Sequence, residues 1–235
     1  MKQLFTALLV IVSLTAFTQS NIVYDVVLKG GRVIDPETKL DAIRNVGILN
    51  NRIAQISSEP LKGKETINVS GLVVAPGFID MHVHGTTNVE QEYQLHDGVT
   101  TALDLESGIE HIGKWYASRQ GKALINYGGS VNWPFERSMA MDKYKKGVDE
   151  IERMVQKADS YTETPTAEET NRTMANIKAA LAEGGIGIGV PIGYLPKTKP
   201  EEMFRVFQLA GEMKALIFTH NRERSEEHTS ELQSQ

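Results

Sequence analysis

The sequence predicts an α/β protein in which a small β-domain precedes a larger domain of alternating strands and helices. Residues 22–74 contain short apolar strands separated by turns. After residue 76, buried strands alternate with amphipathic helices, which is typical of parallel βα units with right-handed crossovers. Apolar residues make up 40% and charged residues 23% of the 235 residues, as expected for a soluble globular protein.

The first 20 residues have the pattern of a secretory signal peptide. Lys2 supplies the positive charge, the apolar stretch 4–16 follows it, and Thr18 and Ser20 offer small residues near a cleavage point. The stretch is short for a transmembrane helix and contains polar residues. We therefore expect a mature protein that is periplasmic or secreted and has no membrane anchor. A buried N-terminal strand or helix is the alternative.

Residues 21–75 form the predicted β-domain. Asn50-Asn51 separates two apolar runs at residues 45–49 and 52–56, and this spacing predicts a tight hairpin. Further strands are predicted at residues 24–28, 32–36, 66–69 and 72–74. No residue pattern in this domain indicates chemistry, so we expect it to serve packing.

The stretch 73–85 carries the clearest chemical signal. A Pro-Gly turn precedes an apolar run that predicts a strand, and strand alternation places Asp80, His82 and His84 on one face. The Cα atoms of two such histidines lie roughly 7 Å apart, so the imidazoles could bind one ion or two neighbouring ions. Neutral imidazole suits zinc and related divalent metals, and Asp80 could fix the tautomer of one ring. Taken alone, the pair is equally compatible with a polar strand face.

The amino-acid composition limits which metal ligands and which binding partners we expect. The chain has no cysteine, so any metal site must use histidine and carboxylate ligands. The net charge is −5 and no basic block occurs, so we expect no nucleic-acid partner.

Four more strands and the helices between them complete the predicted α/β domain. The strands are expected at residues 99–107, 122–131, 186–192 and 215–220. Thr166–Glu169 is a capping box that begins a helix ending before Gly184, and residues 198–201 begin the next helix. We interpret the charged run 143–152 as a solvated helix.

The stretch 73–85 resembles the first barrel strand of the amidohydrolase superfamily, where a His-x-His pair binds the catalytic metal. Other segments resemble the D-aminoacylase, or N-acyl-D-amino-acid deacylase, branch; these are residues 97–101, 126–131, 187–189 and 194–196. The resemblance covers roughly residues 24–223. It implies an incomplete (β/α)₈ TIM-type barrel, about the first five strands, over residues 76–223, with a small β-sandwich-like domain over residues 21–75.

The resemblance also implies metal ligands on other strands. His220 is the last residue of the predicted fifth strand and resembles the histidine that completes the metal site in these deacylases. Many D-aminoacylases have a cysteine ligand near residue 106, and this chain has none, so Glu106 is the candidate acidic ligand. The fourth strand contains no lysine that could be carboxylated, as it is in hydantoinases and dihydroorotases. Hydrogen bonding at the barrel mouth is the alternative role of Glu106.

Residues beyond the strand ends are candidates for substrate contacts. Tyr194 and Arg222 are in positions to contact a substrate carbonyl or carboxylate, although each could equally be a surface residue. His96 and His111 fall in helical stretches, and we expect both to be structural.

The function implied by the resemblance is hydrolysis of a C–N amide bond in a small N-acyl-D-amino acid, with one or two Zn²⁺ ions. The general acid/base of this superfamily is an Asp at the end of the eighth strand, beyond the strands predicted here. Two alternatives stay open. One is another amidohydrolase, such as a hydantoinase-like or isoaspartyl-dipeptidase-like enzyme or a deaminase. The other is a non-catalytic secreted barrel that serves as a binding scaffold.

Residues 224–235 resemble the translation of a sequencing adapter, and an ordinary polar tail is the alternative. We therefore expect the natural sequence to stop near Glu223, and His228 not to be a ligand. A barrel that lacks three strands would leave unpaired edges, so we expect such a fragment to be inactive and prone to aggregation.

Overall fold

The computed structural model describes residues 22–85, 87–141 and 159–221 of the chain. The predicted signal peptide, the charged run 143–152 and the adapter-like tail lie outside these residues. The chain divides into two compact units, Met1–Pro76 and Gly77–Gln235. None of the helices in the described residues is long and apolar enough to cross a membrane.

The first unit contains one mixed β-sheet in its described residues. Its strands are β1 (Val23–Asp35), β2 (Leu40–Leu49), β3 (Arg52–Ser57), β4 (Lys62–Asn68) and β5 (Val73–Val74). The order is β3-β2-β1-β4, and β5 also pairs with β1. The β1–β2 and β2–β3 pairs are antiparallel, whereas β4 and β5 run parallel to β1. The second layer that a sandwich requires is not among the described residues of this unit.

Turn chemistry explains two features of this sheet. The hairpin at Asn50-Asn51 is confirmed, because Leu49 pairs with Arg52 across it. Both asparagines have positive φ, 53° and 59°, as a type I′ turn requires at its two central residues. The strands predicted at residues 24–28 and 32–36 join into the single strand β1, which is irregular where Gly30 adopts a φ of 76°.

The second unit contains a five-stranded parallel sheet, which confirms the predicted βα organisation. The strands follow one another in chain order as β6 (Phe78–Asp80), β7 (Val99–Ile109), β8 (Asn126–Asn132), β9 (Gly187–Val190) and β10 (Leu216–Thr219). The described helices are α1 (Asn88–His96), α2 (Ile112–Arg119), α3 (Trp133–Ala140), α4 (Asp159–Thr162), α5 (Ala167–Ala182) and α6 (Pro200–Met213).

Helices α5 and α6 begin near the predicted positions. The capping box of α5 is confirmed, since the Glu169 N–H donates to Thr166 Oγ1 (3.2 Å) and the Thr166 N–H donates to Glu169 Oε2 (2.7 Å). Helix α6 begins at Pro200 after Lys199, whose side chain makes no capping hydrogen bond. Proline suits this first position because its missing N–H would have no partner inside the helix.

The core of this unit lies where α3, α5 and α6 pack on the strands. Trp133, Ile177, Ile188 and Val206 are fully buried there. This packing fixes the strands whose carboxyl ends carry the candidate site.

Candidate metal centre

The two histidines of the His-x-His pair lie directly after β6. The expectation that they belong to the strand is wrong, because β6 ends at Asp80. Asp80 Oδ1 accepts the backbone N–H of His82 (3.0 Å), which forms a local turn after the strand. The carboxylate of Asp80 therefore binds backbone, in place of the role predicted for it in fixing an imidazole tautomer. Beyond this turn the Val83 N–H donates to the Leu103 carbonyl of β7 (3.4 Å), so the segment stays against β7.

Side-chain alternation continues past the end of the strand. Val83 is half-buried and packs on a small apolar cluster that includes Val99 and Ala102. The side chains of His82 and His84 lie together, with ring centroids 5.3 Å apart and ring planes at 78°. The sequence pattern therefore groups the two imidazoles correctly, although the backbone there is a loop.

Glu106, near the end of β7, is the centre of the site. Its Oε2 lies 3.3 Å from His82 Nε2 and 3.5 Å from His84 Nε2. One donor atom from each of these three residues lies within 4.8 Å of the other two. Glu106 is 9% exposed, whereas both histidines are exposed, so the carboxylate forms the floor of the group.

His220, directly after β10, approaches the other oxygen of the same carboxylate. Its Nδ1 lies 2.6 Å from Glu106 Oε1. The ring of Tyr194 lies against the His220 ring, with centroids 4.8 Å apart. Gly193 gives room for this arrangement, because a Cβ at that position would lie 3.0 Å from His220 Cδ2. Tyr194 is 46% exposed, so part of the residue is accessible to a ligand.

Asp104 also belongs to the site, and no sequence motif predicts a role for it. Its Oδ2 lies 3.7 Å from His84 Nδ1, and its Oδ1 accepts the backbone N–H of Gly108 (3.1 Å). Burial raises the pKa of Asp104 to about 6, against the opposing effects of His84 and the Gly108 N–H. The available sequence signal was its position two residues before Glu106, on the same face of the strand.

The donor set fits a divalent metal ion. Tetrahedral zinc with bonds of about 2.0–2.2 Å places neighbouring ligand atoms about 3.3 Å apart, close to the two distances at Glu106 Oε2. Glu106 Oε1 is buried and makes no well-formed hydrogen bond, despite the nearby His220. A buried carboxylate oxygen in that condition is stabilised by a cation. The residues His82, His84, Glu106 and His220 are therefore suited to holding a metal.

A cavity of about 370 Å³ opens beside this group. Its lining includes His82, Glu106 and His220 together with Met81, Leu105 and Phe218. The cavity has the size of a small-molecule site and combines polar donors with apolar walls.

Two other residues singled out from the sequence, His96 and His111, lie away from the site. Arg222, predicted to contact substrate, lies outside the described residues. His96 is an exposed residue in the last turn of α1. His111 directly precedes α2, and its ring packs edge-on against Phe135 at 4.8 Å.

Comparison with known proteins finds dihydroorotases and a D-aminoacylase among the similar sequences. No family model matches the chain. A dihydroorotase of Streptococcus pneumoniae is 42% identical over 80 residues, which are 32% of this chain and 18% of that protein. A D-aminoacylase of Alcaligenes xylosoxydans xylosoxydans is 26% identical over 221 residues, which are 86% of this chain and 45% of that protein.

Two solved structures share the fold. A D-aminoacylase has a TM-score of 0.65 and 22% identity over 85% of this chain and 46% of that one. N-acyl-D-glutamate deacylase from Bordetella bronchiseptica has a TM-score of 0.67 and 21% identity, and the match covers 86% of this chain and 46% of that one.

The chain is similar to D-aminoacylases. Its parallel sheet therefore corresponds to the first strands of a TIM-type barrel, as predicted. In such barrels the active site lies at the carboxyl ends of the strands, where the candidate centre is found. The chain spans less than half the length of these relatives.

Proposed function

We propose that the protein is a metal-dependent hydrolase that cleaves the C–N amide bond of N-acyl-D-amino acids. The observation that carries the proposal is the convergence of His82, His84 and His220 on the two oxygens of Glu106. The similarity to a D-aminoacylase along 86% of the chain supports this reaction over others that the barrel can host.

We propose zinc as the ion. Imidazole and carboxylate suit zinc, and the Bordetella deacylase structure contains it together with a phosphonate inhibitor that mimics the tetrahedral intermediate. When bound, such an ion activates water and polarises the scissile carbonyl.

The chain's own residues would divide the remaining work. Glu106 would hold the ion from the buried side, and the exposed histidines would leave the solvent side accessible to substrate. Tyr194, whose ring lies tilted against the His220 ring, would donate a hydrogen bond to a substrate carbonyl or carboxylate. The resemblance assigns the proton transfer to an Asp at the end of the eighth strand, beyond the five strands described.

A second candidate is hydrolysis of a cyclic amide. The 42% identity to a dihydroorotase over 80 residues favours it. Lysine-bridged members of that group use a lysine on the fourth strand, and β9 (Gly187–Val190) contains none. We therefore rank this candidate second.

Metal analysis tests the site. After dialysis against zinc and then metal-free buffer, elemental analysis should find zinc in the wild-type chain. The double substitution H82A/H84A should abolish it. The control is H96A, which removes an exposed histidine on α1 and should retain the metal. Equal zinc content in all three proteins would refute the site.

Activity is measured on the product of the open reading frame re-read from the source DNA. The panel contains N-acyl-D-amino acids, their L-enantiomers and dihydroorotate. Amine release from the D-series supports the proposal. Turnover of dihydroorotate alone supports the second candidate, and bound zinc without any turnover contradicts both.

We also propose that the protein is exported, on the pattern of residues 1–20. Fractionation of the producing cells should find it in the periplasm or medium without the first 20 residues or so. A cytoplasmic protein that retains its initiating Met1 would contradict export.

A further inference from the structure

The imidazole of His84 lies between two carboxylates of the same strand. Its Nε2 faces Glu106 Oε2 at 3.5 Å, and its Nδ1 faces Asp104 Oδ2 at 3.7 Å. The second separation is longer than a normal hydrogen bond. Contacts of this kind commonly tighten when a site is loaded. The two ring nitrogens of His84 therefore have different partners.

Asp104 is held in place independently of His84. It is 5% exposed, and its Oδ1 accepts the Gly108 N–H at 3.1 Å. Because Oδ1 of Asp104 accepts this backbone hydrogen bond, Oδ2 is left to face the imidazole ring of His84. The orientation of this carboxylate is thus set by its own strand.

Gly108 makes this anchoring possible. The pairing of β7 with β8 shifts register between Asp104 and Ile109, and Gly108 within this irregularity has a φ of 80°. A Cβ there would lie 2.7 Å from Ser130 Oγ and 2.8 Å from the backbone N of Asn132. Only glycine fits this conformation and space, so the N–H that holds Asp104 is fixed by the fold.

We propose that Asp104 is a positioning residue of the metal centre, which accepts Nδ1–H from His84 and so leaves Nε2 of that ring unprotonated for the ion. Histidines that bind metals commonly donate their second N–H to a carboxylate, which fixes both the tautomer and the ring orientation. His82 differs, since among the described residues Glu106 is the carboxylate that it approaches within 4.0 Å. The inference rests on the proposed metal binding at this site.

Asp104→Asn is the informative variant. The amide oxygen of the new side chain would accept from the Gly108 N–H, which turns its NH₂ group toward His84 Nδ1. That nitrogen would then have to accept, and the proton would move to Nε2, where it competes with the metal. The matched control is Asp80→Asn, which removes the same charge from a residue whose Oδ1 contacts backbone.

Two measurements decide the proposal. Imidazole ¹H–¹⁵N correlation spectra of the metal-free, ¹⁵N-histidine-labelled chain should show His84 as the Nδ1–H tautomer in the wild type and in D80N. In D104N the same ring should become Nε2–H. Zinc affinity, measured by competition with a chromophoric chelator, should fall about 10–100-fold in D104N and less than about 3-fold in D80N.

The outcomes separate this proposal from the proposed function. An Nε2–H tautomer of His84 in the wild type overturns the positioning role, even if D104N does not fold. Equal loss of zinc affinity in D104N and D80N also overturns it, because only charge would then matter. A wild-type chain that binds no zinc overturns the proposed function, while the metal-free spectrum still decides the role of Asp104.

Discussion

Glu136, in the first turn of α3, should make the stability of the second unit depend on pH. Its side chain is 9% exposed. Burial, together with the charges of Glu183 and Glu110, raises the pKa of this carboxyl from 4.5 to about 7. Between these two values the folded chain keeps a proton that the unfolded chain has lost.

The sign and size of the effect follow from proton linkage. The folded state binds more protons in this window, so the free energy of unfolding falls as the pH rises from about 4.5 to about 7 and then levels off. The gap between the two pKa values corresponds to about 3 kcal/mol. Glu136→Gln removes the titration, so its stability relative to wild type should be 2–3 kcal/mol greater at pH 8 than at pH 5, to within about 1 kcal/mol.

Urea unfolding followed by tryptophan fluorescence measures this difference. The two tryptophans of the chain, Trp115 and Trp133, both lie in the second unit, so the signal reports that unit. Other titrating groups are common to both proteins and cancel in the comparison. Exposed Glu92→Gln is the control and should follow the wild-type profile. Parallel pH profiles for E136Q and wild type would show that the reasoning about burial is wrong.

Three further results are expected. Glu106→Gln should lower zinc affinity by at least about tenfold in chelator competition with an unchanged circular dichroism spectrum, and unchanged affinity would remove Glu106 from the site. Arg137→Met should lower the free energy of unfolding, measured with urea, by about 3–5 kcal/mol. The reason is that Glu202, which pairs with Arg137 at 2.9 Å in the interior, would lose its ionic partner. R137M combined with E202L should recover much of that loss, and a double variant as unstable as the single one would contradict the pairing argument. Gly193→Ala should weaken zinc binding up to about tenfold by displacing the His220 ring, and wild-type affinity would show that the ring can shift freely.

Local signals in the sequence predicted much of the fold. The Asn50-Asn51 hairpin and the capping box of α5 depend on residues within a few positions of each other, so the sequence pattern is sufficient. Helix α3 was not predicted, because its buried residues include the polar Glu136 and Arg137. Arg137 is buried by pairing with Glu202, 65 residues away, and no local pattern reveals such a partner.

In the candidate site, too, some features follow from local sequence patterns and others depend on contacts between distant segments. Alternation along the chain predicts that His82 and His84 share a face, and the two-residue spacing of Asp104 and Glu106 in β7 is compatible with a shared face as well. The role of Asp104 depends on a register shift in β7 and on the backbone of Gly108, which appear only when β8 is paired beside it. The end of β6 was missed because a single side chain, Asp80, turns the backbone earlier than the apolar run suggests.

The residue types at the candidate metal centre determine how oxidation would affect it. Its candidate ligands are imidazole and carboxylate, and the chain has no cysteine, so peroxide finds no thiolate to oxidise. Met81, 64% exposed, lines the same cavity. Peroxide should therefore convert Met81 to its sulfoxide and make the cavity wall polar while the donors remain intact. This lesion is reversible by methionine sulfoxide reductases, whereas over-oxidation of a cysteine ligand generally is not.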